Sequence, residues 1–214
     1  MDKPLIIIGA GGHGRVVLDL LLVCGAQVIG ITDSNKDLHG TSLFDIPILG
    51  NDEIITEYAP DEVYLANGIG STKDVVLRRQ IYQNWCSKDY TFPHLIHPSA
   101  VISSNGTSLC EGVQVMAGSI VQANVTIDEN SIVNTNVSLD HDCKVAAHVH
   151  IAPGCTISGG VEIGHCGFIG AGATVVANCK LQNNCVIGAG SVVLEDVGAN
   201  ECVVGNPAKV KTNE

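Results

Sequence analysis

The chain has 214 residues, enough for a small domain beside a second unit. Twenty-two acidic residues against eleven basic ones give a formal net charge of -11, which argues against nucleic acid or an anionic membrane as partner. Aromatics make up only 4% while glycines number 24, a balance that suits stacked aliphatic side chains and many tight turns rather than a large mixed core.

Residues 1–92 read as a small Rossmann-like α/β unit. Leu5 to Ile8 is an apolar run, too short for a signal or a membrane span, so the expected location is the cytoplasm with no membrane insertion. It ends in Gly9-Ala10-Gly11-Gly12-His13-Gly14, and an amphipathic helix follows from about His13 to Val23. Gln27 to Thr32 reads as the next strand, ending at Asp33. Val63 to Ala66 reads as a third, leading into Gly68-Ile69-Gly70. Ser71 is expected to cap a helix from about Thr72 to Trp85.

Gly9, Gly11 and Gly14 meet the G-x-G-x-x-G spacing, with Asp33 about twenty residues on. Glycines let backbone approach a phosphate, and a helix N-terminus favours its charge. Alone this predicts a dinucleotide, but three or so strands are too few for the usual six-stranded fold. A nucleotide-linked sugar is the better-sized ligand, and a tight turn without ligand is the plain alternative. His13, polar and inside the loop, favours the ligand.

Residues 93–108, with Pro93 and Pro98, read as a linker and entry to a repeat. From Leu109 to Val193 every sixth residue is Leu, Val or Ile, fifteen times in succession. Neither a helix nor a simple strand has period six. Four places after each aliphatic stands a small or β-branched residue, from Val113 to Val197. A short strand and a tight turn fill six residues, and three sides close a coil of eighteen. Residues 109–197 are therefore expected to form a left-handed parallel β-helix of five coils. Residues 198–214 read as a closing loop and tail.

The nine cysteines show no Cys-x-x-Cys spacing, and Cys143, Cys155, Cys179 and Cys185 fall in the small interior register, as structural thiols would. His141, between Asp140 and Asp142, lies outside both interior registers; a neighbouring carboxylate suits a histidine for work as a general base. A solvated surface histidine is the plain alternative. Metal binding by His141, His148 and His150 is opposed by spacing, because nine residues is half a coil. Residues eighteen apart stack about 4.8 Å apart, which puts Gly159 over His141. Ala171 and Ala189 share another column, near His150 and Asn134. Two neighbours in a parallel trimer bring these columns together, so an inter-subunit active site is expected.

With these residues in view, the chain resembles the hexapeptide-repeat sugar acyltransferases, in the branch of UDP-N-acetylbacillosamine N-acetyltransferases and sialic-acid O-acetyltransferases. The resemblance rests on the Gly-rich start, Ile96-His97-Pro98-Ser99-Ala100, Asn134-Thr135, His141-Asp142-Cys143, His150, Pro153-Gly154 and Gly205-Asn206-Pro207-Ala208-Lys209. It implies a homotrimer that uses acetyl-CoA and no metal, serving bacterial surface glycan or glycoprotein synthesis. His141 matches the catalytic base, Asp142 the acidic residue beside it (Glu in a bacillosamine enzyme), and Gly159 the oxyanion donor. His150, Ala171, Ala189 and Lys209 match the cofactor side. Gly11, Gly12, His13, Asp33, Ser34, Gly70 and Asn134 match the nucleotide-sugar side.

The acceptor so implied is the C4 amine of a UDP-linked 4-amino-4,6-dideoxy sugar, with GDP and dTDP fitting the same loop. Three rivals remain at this point: O-acetylation of sialic acid or another sugar, a non-catalytic scaffold that senses a nucleotide, and an NAD-binding oxidoreductase. A covalent route through Cys143 is disfavoured by its interior phase.

Overall fold

The computed structural model describes residues 2–71 and 75–211. The N-terminal unit opens with β1 (Leu5–Ile8), α1 (Gly12–Val23) and β2 (Val28–Thr32). It continues through β3 (Ser42–Leu43), β4 (Ile46–Gly50), β5 (Tyr64–Asn67) and α2 (Val76–Cys86). The sheet has five strands in the order β3-β4-β2-β1-β5, two more than the sequence reading found. Only the β3–β4 pair is antiparallel, joined through Phe44 and Asp45, both at positive φ. All four residues of β1 are buried, as expected of a central parallel strand covered on both faces. Val17, Leu18, Leu20 and Leu21 of α1 cover one face; Tyr82, Trp85, Tyr90 and Phe92 pack with Ile6, Ile8 and Leu65 on the other.

The rest is a left-handed β-helix of two-residue parallel strands in three sheets. The first sheet stacks Val101–Ile102, Ile120–Val121, Ser138–Leu139, Thr156–Ile157, Thr174–Val175 and Val192–Val193. The second runs from Ser108–Leu109 to Lys180–Leu181. The third runs from Leu95–Ile96 through Gln114–Val115, Ile132–Val133, His150–Ile151, Phe168–Ile169 and Val186–Ile187 to Cys202–Val204.

The small register is buried throughout, and Cys143, Cys155, Cys179 and Cys185 sit in it as free thiols. Cysteine is a compact hydrophobe there. Between strands the chain turns through a left-handed residue every six positions, among them Asn124, Asn130, Asn136, Asp142, Gly154, Gly160 and Asn178. Glycine and asparagine take that conformation at low cost, which is why they punctuate the hexads.

Three boundaries differ from the sequence reading. The 93–108 stretch already holds coil strands, because Leu95–Ile96 and Val101–Ile102 pair with Gln114–Val115 and Ile120–Val121. Past Val197 the third sheet gains Cys202–Val204, against which Lys209–Val210 folds back antiparallel. The second helix begins at Val76 rather than about Thr72 (which lies outside the described residues), and Ser71 does not cap it: the residue before the helix is Val75.

The N-terminal unit lies on the third sheet, whose outward-facing Gln114, Ile132, His150 and Phe168 are consequently buried. Arg78 fastens the two units. Its Nε donates to Asn130 O, and its Nη1 donates to Asn67 O and Ile69 O. Burial lowers its pKa to about 9.

Candidate active site

At the junction of the two units lies a cleft of about 1320 Å³. One wall is the N-terminal loops: Gly9, Gly11, Gly12 and His13 after β1, Asp33 after β2, and Gly68 to Ser71 after β5. The other wall is coil: Asn134 and Thr135, His150, Pro153 and Phe168, then the column of Ala171 and Ala189. All but Ser34 and Lys209 of the residues separated in sequence as sugar side and cofactor side thus share one space.

The glycines differ in why they are glycine. A Cβ on Gly14 would meet Gly9 O at 2.0 Å, so this position lets α1 close onto β1. Gly11 and Gly12 have nothing within 4 Å of such a Cβ. Their open space faces the cleft, where a ligand can approach backbone. The Asp33 carboxylate accepts from the Ala10 and Asn35 N–H groups at 2.7 and 2.8 Å, so it also braces the loop. Ser34 does not line the cleft. Neither does Lys209, which is exposed on its hairpin; Lys211, two residues on, reaches the cleft instead.

Two histidines face each other across the cleft with ring centres 6.3 Å apart. His13 Nε2 is 2.8 Å from Gln114 Oε1, and burial, with Arg78 nearby, lowers its pKa to about 4. His150 is held by Ser71 Oγ at Nδ1 and by Asn134 Nδ2 at Nε2, and burial, then His13 and Arg78, lowers its pKa to about 3. Both are neutral at physiological pH. His148, two residues earlier, points elsewhere: it is buried between Asn130 and the ring of Tyr82.

His141 is not in this cleft. It stands at the corner between the first and second sheets, while His150 is on the third, and its side chain is 62% exposed. Its Nδ1 meets Asp142 Oδ2 at 2.7 Å, and Asn124 Nδ2 steadies the other carboxylate oxygen at 3.2 Å. The Asp142 hydrogen bond, helped by Asp140, raises the histidine's pKa. Asp142 takes the left-handed corner position with φ 61°, which a short polar side chain tolerates. Gly159 lies one coil on, directly against the imidazole. Among the described residues its N–H donates to no protein group, and the same holds for the N–H groups of Ala171 and Ala189 in the cleft.

A flat-sided parallel prism, a nucleotide-type α/β unit on one face and a histidine–aspartate pair on a corner define an acyltransferase: the chain belongs to the hexapeptide-repeat sugar acetyltransferases. A family model described as the PglD N-terminal domain matches residues 4–85. The acetyltransferase domain of PglB from Neisseria gonorrhoeae FA1090, solved with acetyl coenzyme A, is 33% identical with a TM-score of 0.92, covering 99% of this chain and 100% of that one. A variant of perosamine N-acetyltransferase from Caulobacter crescentus, solved with CoA and GDP-perosamine, is 32% identical with a TM-score of 0.91, covering 100% of this chain and 99% of that one. WeeI from Acinetobacter baumannii AYE, at 23% identity and a TM-score of 0.87, shares the fold. Among the described residues no helix is long and apolar enough to cross a membrane.

Proposed function

We propose that the enzyme transfers the acetyl group of acetyl-CoA to the C4 amine of a nucleotide-linked 4-amino-4,6-dideoxy sugar, of the UDP-N-acetylbacillosamine type. The observation that carries this reading is the single cleft joining the open glycine loop, where a nucleotide sugar fits, to the unbonded N–H groups of Ala171 and Ala189, which suit the amides of a pantetheine arm. The relatives solved with acetyl coenzyme A or with CoA and GDP-perosamine support both ligands.

His141 is the general base. Its Nε2 is free of protein partners among the described residues, while Nδ1 is held by Asp142. It takes a proton from the amine as nitrogen attacks the thioester carbon. The Gly159 N–H receives the carbonyl oxygen as it becomes negative, a contribution of about 2.7–4 kcal/mol for a well-placed donor. The carbon–sulfur bond then breaks and CoA leaves as the thiolate. His141 lies on a different edge from its own cleft, so the reading requires a neighbouring chain of a homotrimer to bring the base to it. Cys143 is not needed: it is buried, its Sγ faces Ser158 O at 3.2 Å, and burial raises its pKa.

The test is CoA release, followed with a thiol reagent, over UDP-, dTDP- and GDP-4-amino-4,6-dideoxy sugars beside free and CMP-linked sialic acid. Turnover of one amino sugar supports the reading and names its nucleotide. Turnover of sialic acid alone replaces it with O-acetylation.

A further inference from the structure

The hydrogen bonds around the two cleft histidines determine where their protons sit. Asn134 has one orientation: its Oδ1 accepts from the Thr135 N–H at 2.8 Å, so Nδ2 is the atom turned to His150 Nε2 at 3.1 Å. An amide NH2 only donates, so Nε2 carries a lone pair and the ring hydrogen of neutral His150 is on Nδ1. That hydrogen points to Ser71 Oγ at 2.6 Å. The hydroxyl therefore accepts, and its own hydrogen turns elsewhere. Ser71 is half-buried and lines the cleft, and its hydroxyl has no second partner among the described residues.

His13 is the complementary case. Gln114 Nε2 donates to Asn67 O at 2.9 Å, which leaves Oε1 to accept from His13 Nε2 at 2.8 Å. Its Nδ1 is a lone pair without a protein partner among the described residues. The N-terminal wall of the cleft thus offers both an acceptor, His13 Nδ1, and a hydroxyl donor, Ser71.

We infer that Ser71 is a positioning residue for the transfer, accepting from the Nδ1–H that Asn134 sets on His150 and turning its own hydroxyl hydrogen to an acceptor oxygen of the bound ligand. The inference rests on the acyl-transfer reading above for its reaction, but not for the ring state. Both nitrogens of His150 are occupied, so the imidazole has neither a free proton to give nor a free lone pair to take one. Ser71 follows Gly68–Gly70 of the N-terminal unit, whereas His150 and Asn134 belong to the coils. Their bond ties the loop on the sugar side to the face that continues into the Ala171 column.

Nitrogen-15 NMR of the full-length protein with labelled histidine reads the tautomer directly. Wild type should give a protonated Nδ1 and an unprotonated Nε2 at His150, unchanged across neutral pH. Ser71→Ala should shift the Nδ1 resonance while Asn134 keeps the proton on that atom, and should lower kcat about tenfold, the size of one lost hydrogen bond of about 1.4 kcal/mol; Ser71→Thr should restore both. A rise in KM for acetyl-CoA alone would assign the acceptor oxygen to the thioester, and a rise for the sugar alone would assign it to the sugar. Protonation of Nε2 in wild type, or a Ser71→Ala variant with unchanged spectrum and kcat, overturns the inference. The spectrum needs no substrate, so it stands apart from a failure of the acceptor panel.

Discussion

His141 rests on the bare Cα of Gly159: a Cβ at 159 would stand 2.6 Å from His141 Cε1 and 2.7 Å from Nε2. The position therefore needs glycine for the sake of a neighbouring side chain, since its backbone is not among those at positive φ. Gly159→Ala should push the imidazole off its site and cost on the order of 10²-fold in kcat, the scale of a 1 Å misplacement. Because the ring swings into solvent, the melting temperature should stay near that of wild type. A variant with full kcat would separate Gly159 and His141 from each other in the mechanism.

Protonation of His141 should set the acidic side of the rate profile. A base works unprotonated, and its pKa is raised mainly by the Asp142 hydrogen bond. Activity should thus fall as pH drops through a value above the ordinary histidine pKa of about 6.5. Asp142→Asn removes the anion, so its acidic limb should move to lower pH while the plateau falls. A limb that stays in place would mean another group is titrating.

Two inactive chains should repair one another. His141→Ala lacks the base but keeps the cleft, and should still bind acetyl-CoA. Gly12→Asp keeps the base but sets a carboxylate where the nucleotide sugar approaches. Chains mixed under conditions that let subunits exchange should regain part of the wild-type rate if a site draws on both. If mixing leaves the rate at the sum of the two variants, each chain works alone.

Acid should unfold the protein in a defined window. His13, His148 and His150 are lowered to about 4, 4 and 3, chiefly by burial, from 6.5. Between about pH 6.5 and 4 the unfolded chain holds protons that the folded one refuses, so stability declines as pH falls through that range. Above pH 6.5 the contribution is complete. The urea midpoint measured against pH should follow this course, and His148→Gln should flatten it. A midpoint constant from pH 7 to 4 (assay conditions spanning about this window) would contradict the three burials.

The hexads were readable because an interior column tolerates only a few side-chain shapes, and fifteen aliphatics in phase leave no other period. The first coil escaped for a specific reason. Ile102 pairs with Val121, nineteen residues on, whereas Leu109 pairs with Ile127, eighteen on. One extra residue near Asn105 slips the phase. Strand β4 escaped because Pro47 interrupts its apolar run and its hairpin turns on Phe44-Asp45, without the usual Asn-Gly. The stacking of Gly159 on His141 followed from counting eighteen. The bond from Ser71 to His150 joins residues 79 apart on two units and leaves no local trace, so Ser71 looked like a helix cap.

The unbonded N–H groups at the prism's corners have a consequence for how such an enzyme can change. They come from the path of the backbone, so the edge that would cradle the acyl carrier survives almost any substitution at Ala171 or Ala189 that leaves the corner open. On the proposed reading, sugar preference would instead rest on side chains and loop lengths of the N-terminal unit. Selection can therefore retune the acceptor while the donor's track stays intact, and one prism can serve a range of glycans.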